Sequence, residues 1–114
     1  MLTTDHAQSL APKAKLFRNF ADTSRLAILE ALRPGARSVS ELVEATGLSQ
    51  PNVSNHLACL LGCGLVSREQ RGRHAFYAIS DPRVDELLGW AEALLDEVPR
   101  IGEGCARCAV PERA

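Results

Sequence analysis

The chain has 114 residues, of which 46% are hydrophobic and 24% charged, and its formal net charge is −1. That size and balance suit one small globular domain, short enough for a partner subunit to help complete its core. No apolar run approaches the roughly 18 residues of a membrane span and the N-terminus lacks a signal-like apolar stretch, so no membrane partner and a cytoplasmic location are expected.

Residues 1–11 carry weak signals that fit either a mobile arm or the first turns of a helix. From Pro12 to Phe20, Leu16, Phe17 and Phe20 recur at helical spacing among Lys13, Lys15 and Arg18. Asp22 is a good N-cap for a second helix, whose Leu26, Ile28, Leu29 and Leu32 form an apolar stripe ending before Pro34-Gly35. Ser38 or Ser40 opens a short third helix carrying Val39, Leu42 and Val43, which Thr46-Gly47 breaks. Ser49 caps the fourth helix, with Pro51 tolerated in its first turn, Val53, Leu57 and Leu60 or Leu61 inward, and an end near Gly62 or Gly64.

The pattern then changes. Leu65 to Gln70 and Arg73 to Ile79 look like two strands joined through Arg71-Gly72, where glycine can supply a positive φ. Asp81-Pro82 is an N-cap followed by proline at the first helical position. A last helix follows with Val84, Leu87, Leu88, Ala91, Leu94, Leu95 and Val98 apolar, and Pro99 and Gly102 end it. The expected fold is mainly α with a small β-hairpin: a winged helix-turn-helix, dimeric, with DNA-binding and dimerisation in residues 1–98 and a flexible tail in residues 99–114. The bland alternative is a small helical domain with a decorative hairpin.

Charge is unevenly spread. Residues 48–80 carry Arg68, Arg71 and Arg73 against Glu69, while residues 81–114 carry four basic and eight acidic side chains. The positive excess is small, so DNA affinity must come from local placement and dimerisation rather than bulk charge. Gln50, Asn52, Ser54, Asn55 and His56, near the start of the fourth helix, are the candidate base and phosphate contacts. Amides pair with adenine edges and hydroxyls with phosphates. Arg71 and Arg73 at the hairpin tip suit the backbone or the minor groove.

The same helix carries Cys59 and Cys63. Residues four apart share one helical face, with about 5–6 Å between Cβ atoms, and two thiolates at that separation can grip one soft ion. Thiolate selects Cd(II), Pb(II), Hg(II), Cu(I) or Zn(II) over hard cations. Two ligands under-coordinate the ion, and Cys105 and Cys108 are the remaining thiols. Three sulfurs suit Pb(II), three or four suit Cd(II), and four would make a closed tetrahedral zinc site. Read singly, Cys59 can be a small core residue and Cys63 a filler at the helix end. His56 shares the neighbourhood, with DNA contact or packing favoured over ligation.

Ala21-Asp-Thr-Ser-Arg-Leu-Ala-Ile-Leu-Glu-Ala-Leu32, Ser40-Glu-Leu-Val, Gly47-Leu-Ser-Gln-Pro-Asn-Val-Ser-Asn-His-Leu and Gly64-Leu-Val66 resemble the ArsR/SmtB winged-helix repressors. The resemblance runs from about residue 12 to residue 98, and it is strongest to the branch that senses cadmium or lead through recognition-helix and tail cysteines. It implies a homodimer, joined largely through the helix around residues 83–98 and the N-terminal helix. That dimer represses metal-resistance genes from a near-palindromic double-stranded operator and leaves when metal binds. It also implies Cd(II) or Pb(II) as inducer, with Zn(II) or Hg(II) as alternatives. The tail ligand it implies falls nearest Cys105, with one inserted residue, and Cys108 stands as a fourth or substitute ligand. Two other family sites lack their residues: there is no cysteine near Glu41-Leu-Val-Glu44 and no histidine in the last helix.

No metal-hydrolase, nucleophile-elbow or phosphate-loop motif is present, so an enzyme is not expected. The rivals are a winged-helix regulator whose thiols respond to oxidation and a structural zinc site that only stabilises the dimer.

Overall fold

A computed structural model describes residues 2–102, with side chains over residues 9–98, 100 and 101. Contacts divide the chain into two compact units, one ending at Ser80 and one beginning at Asp81. Among the described residues no helix is long and apolar enough to cross a membrane.

The first unit opens with helix α1, Leu2–Ala21. Of the two readings of the residues before Pro12, the helical one holds: proline removes one backbone donor from the ladder, yet the turns on both sides continue. Asp22 then caps α2, Thr23–Leu32, accepting the backbone N–H groups of Ser24 at 2.9 Å and Arg25 at 3.1 Å. Helix α3, Val39–Thr46, starts at Ser38 and not Ser40. A reciprocal box settles the start, because Ser38 Oγ accepts from Glu41 N while Glu41 Oε1 accepts from Ser38 N. Gly47, left-handed at φ 77°, ends α3 as only a residue without Cβ does cheaply. After Leu48 and the cap residue Ser49, α4, Gln50–Gly62, begins.

Two strands complete the hairpin, β2 over Val66–Arg71 and β3 over His74–Ile79, paired antiparallel from Val66↔Ile79 to Arg71↔His74. A further strand, β1 over Arg37–Ser38, was not expected from sequence. It pairs with the outer side of β3, giving the order β1-β3-β2. Two residues are too few to carry a period, so only the pairing partner reveals such a strand.

The core of this unit is built from Ile28, Leu29 and Leu32 of α2, Leu42 of α3, and Val53, Leu57 and Leu60 of α4, joined by Leu65 and Val66. Each such side chain removed from water contributes about 1.5–3 kcal/mol before entropy is counted. Leu60, not Leu61, is the inward residue of its pair.

The second unit contains α5, Pro82–Glu97, capped by Asp81 with proline at its start, and a single helical turn α6, Pro99–Gly102. Along it Trp90, Leu94, Leu95, Val98 and Ile101 are all exposed, Trp90 by 70%.

Candidate nucleic-acid interface and thiol pair

The packing of α4 decides which of its side chains reach solvent. Val53, Leu57 and Leu60 face α2 and α3 and are essentially inaccessible, so the opposite face is left free. Gln50, Asn52, Ser54 and Asn55 are all exposed within the first two turns, Asn55 opposite the buried stripe, Asn52 and Ser54 on its flanks and Gln50 at the open first turn. Ser49 Oγ accepts from Asn52 N at 3.3 Å and holds the first turn in register. The helix N-terminus adds the positive end of its dipole, which favours a nearby phosphate.

The hairpin tip is basic and braced. Gly72 takes φ 60° at the turn. Arg71 donates through Nε and Nη2 to Glu69 Oε1, at 3.0 and 2.9 Å, and its guanidinium carbon lies 4.8 Å from the Phe76 ring centroid. An exposed ion pair of this kind adds little stability. Its effect is to limit where the guanidinium can point. Arg73 and His74 are exposed beside it.

At the other end of α4, Cys63 is the C-cap residue, and its backbone N–H donates to Cys59 O at 3.0 Å. The two thiols therefore sit one helical turn apart, Cys59 half-buried and Cys63 exposed, neither in a disulfide. Cys63 Sγ accepts a hydrogen bond from Asn19 Nδ2 at 3.5 Å. A cavity of about 300 Å³ opens beside it, walled by Pro12, Leu16, Asn19 and Leu65 among others.

Asn19 is the one buried polar residue of the described core, 4% exposed. Nδ2 also donates to Lys15 O at 3.1 Å, and Oδ1 accepts from Arg25 Nη1 at 2.8 Å. Arg25 Nε in turn donates to His56 Nδ1 at 3.4 Å. This contact engages the imidazole at Nδ1 and orients the ring between α2 and the rest of α4. Asp22 closes the group: the Arg25 backbone N–H holds its carboxyl below the usual carboxylate range, against the opposing effect of desolvation and helped by the Ser24 N–H and the Arg25 charge.

The fold thus brings Cys59 and Cys63 together on one turn and separates them from the exposed polar start of α4. His56 lies between, half-buried and engaged at Nδ1 by Arg25. Cys105 and Cys108 lie outside the described residues, and among the described residues no group of three or more His, Cys, Asp or Glu side chains is placed to hold a metal ion. A metal held by Cys59 and Cys63 would need further ligands from outside this pair. Sequence reading missed Asn19 and Arg25. The signal that would have found Asn19 is an amide set inside the apolar spacing of Leu16, Phe17 and Phe20.

Residues 22–68 match the model of the family described as bacterial regulatory protein, arsR family. The chain is 40% identical over 94 residues to a probable mercury resistance operon repressor of Streptomyces lividans, covering 82% of this chain and 75% of that protein. It is 43% identical over 89 residues to the HTH-type transcriptional regulator CmtR of Mycobacterium tuberculosis, covering 78% of this chain and 74% of that one. Among solved structures, it is similar to a homodimeric winged helix-turn-helix DNA-binding domain from Mycobacterium bovis, Mb0332. The TM-score is 0.75 at 28% identity, over 88% of this chain and 93% of that one.

Proposed function

We propose, since the chain belongs to the arsR family of bacterial regulatory proteins, that it is a metal-responsive transcriptional repressor. It binds a near-palindromic double-stranded operator as a homodimer and dissociates when a thiophilic metal engages Cys59 and Cys63. Residues 1–98 carry DNA binding and dimerisation, and the tail from residue 99 supplies Cys105, Cys108 or both as further ligands. The observation that carries this reading is the Cys63 N–H bond to Cys59 O: two soft donors one turn apart, on the helix that exposes Gln50, Asn52, Ser54 and Asn55.

The donor set fits the metal class. Two thiols, with no neighbouring carboxylate cluster among the described residues, suit Cd(II), Pb(II), Hg(II) or Zn(II) rather than the all-oxygen sites of Mg(II) or Ca(II). The mercury and CmtR relatives support a metal effector, and Cd(II) or Pb(II) is the inducer we favour. Gln50, Asn52, Ser54 and Asn55 read base edges or phosphates, His56 contributes from its Nε2 side, and Arg71 and Arg73 hold the flanking backbone.

Release requires that metal bind the free conformation better than the DNA-bound one. A coupling of about 1–3 kcal/mol shifts operator affinity five- to 150-fold. Drawing a tail ligand onto the C-terminal end of α4 would bias the helix that carries the DNA contacts. Anisotropy of an operator selected from a random duplex pool, read with reduced protein and each Cys→Ser variant, tests this. Cys59→Ser and Cys63→Ser should bind DNA normally and fail to leave on Cd(II) or Pb(II) addition. Full metal-induced release in both variants, or release by peroxide alone, overturns the reading.

A further inference from the structure

We propose that Asn19 is a positioning residue that couples the Cys63 sulfur to the DNA-reading part of α4, through Arg25 and His56. This rests on the thiol-site reading above. Cys63 and His56 lie seven residues apart on one helix, so about two turns separate them, roughly 10 Å along the axis. A second path joins them outside the helix: Cys63 Sγ to Asn19 Nδ2, Asn19 Oδ1 to Arg25 Nη1, Arg25 Nε to His56 Nδ1, at 3.5, 2.8 and 3.4 Å.

The chemistry of the amide makes this path a coupling device. Nδ2 and Oδ1 belong to one rigid plane, so a turn of the amide that moves the donor toward or away from sulfur also moves the acceptor under Arg25. Asn19 is 4% exposed, so a lost partner leaves a largely buried amide group to be satisfied. The middle bond is short and charge-assisted, whereas one end bond goes to sulfur, a weak acceptor, and the other is long at 3.4 Å; the ends are where the path yields. A sulfur turned toward a metal presents a different direction to Nδ2, and the amide must follow or lose its bond. His56 is the last member, next to exposed Asn55 and one turn after exposed Asn52. A residue with a purely structural role would fill its hydrogen bonds without any link between metal occupancy and the imidazole.

The test uses the full chain, Cd(II) as the probe, and three readouts: the ultraviolet sulfur–Cd band, the His56 ring ¹⁵N signals (assigned with His56→Gln), and operator anisotropy. In the wild type, Cd(II) should raise the band, shift the His56 signals and release DNA. Asn19→Ala should keep the band but lose the His56 response, and release should shrink from the five- to 150-fold range to under about threefold. Arg25→Gln cuts the path at its other joint and should behave the same, which serves if Asn19→Ala does not fold. Wild-type His56 shifts and release in either folded variant would overturn the proposal. If the wild type shows no sulfur–Cd band, the metal reading fails by itself. The coupling is then read by methylthiolating Cys63 as the sole cysteine: displaced His56 signals support it, and unmoved signals overturn it.

Discussion

Asn19 and Cys63 are 44 residues apart in sequence, yet the Asn19 amide donates to the Cys63 sulfur at 3.5 Å. The contact joins the first helix to the end of the recognition helix. It also explains how a buried amide is tolerated among leucines, since both its ends are satisfied. The exposed thiol of the proposed site is therefore attached to the fold's interior and is not a passive surface group.

The recognition helix is held by its buried stripe, and Leu57, 1% exposed, is at its centre. Leu57→Ala should destabilise by about 2–5 kcal/mol, through lost burial plus the cavity left behind. Leu61→Ala on the exposed side, at 40%, should change stability by under about 1 kcal/mol. Urea unfolding midpoints distinguish the two. Equal losses would mean the helix faces are assigned wrongly.

Acid should weaken the fold in a defined window. Arg83 holds the Asp81 carboxyl down from 3.8 to about 2, first by side-chain and then by backbone hydrogen bonds. The Asp22 carboxyl is lowered as well, chiefly by the Arg25 N–H. A folded value below the unfolded one contributes stability that is present above about pH 4 and is lost as pH falls through about 2. Because the Asp81–Arg83 pair is exposed, denaturant midpoints should drop only slightly across that range, and Asp81→Asn, which still caps α5, should flatten the slope. A variant slope equal to the wild type would remove Asp81 as a source.

Arg71 is aimed by Glu69 and Phe76, so its loss removes a positioned charge from the wing. Arg71→Ala should weaken operator binding about equally on different sequences and reduce the log–log salt slope by about one. An unchanged slope in salt titrations would exclude a phosphate contact from this residue.

Trp90 is the sole tryptophan and is 70% exposed on the same unit as exposed Leu94, Leu95 and Val98. Covering such a stripe with a second copy should shift its emission to shorter wavelength, and dilution should reverse the shift. Trp90→Glu should give a helical monomer by sedimentation, with operator affinity lower by about tenfold or more. A dimeric variant would place the interface elsewhere.

Much of this was legible in local pattern. Asp22, Ser49 and Asp81 cap helices as their side-chain chemistry predicts, and Gly47 and Gly72 take the positive φ that their turns require. The wing strands and the inward residues Val53 and Leu57 follow from their periods. Two local readings needed the structure: helix α1 passes through Pro12, because one missing donor does not stop a helix supported on both sides, and Ser38 outcompetes Ser40 because Glu41 reciprocates its bond.

The pairing of Cys59 with Cys63 is a property of sequence alone, because four residues make one helical turn and the helix is locally encoded. Its connection to His56 is not. Asn19, Arg25, His56 and Cys63 stand on three helices, and no spacing along the chain relates an amide on the first to a guanidinium on the second and an imidazole on the fourth. Only the packing of α1 and α2 against one another, and of α2 against α4, brings the four groups within hydrogen-bond reach, because side-chain hydrogen bonds act over about 3 Å and depend on where buried surfaces meet.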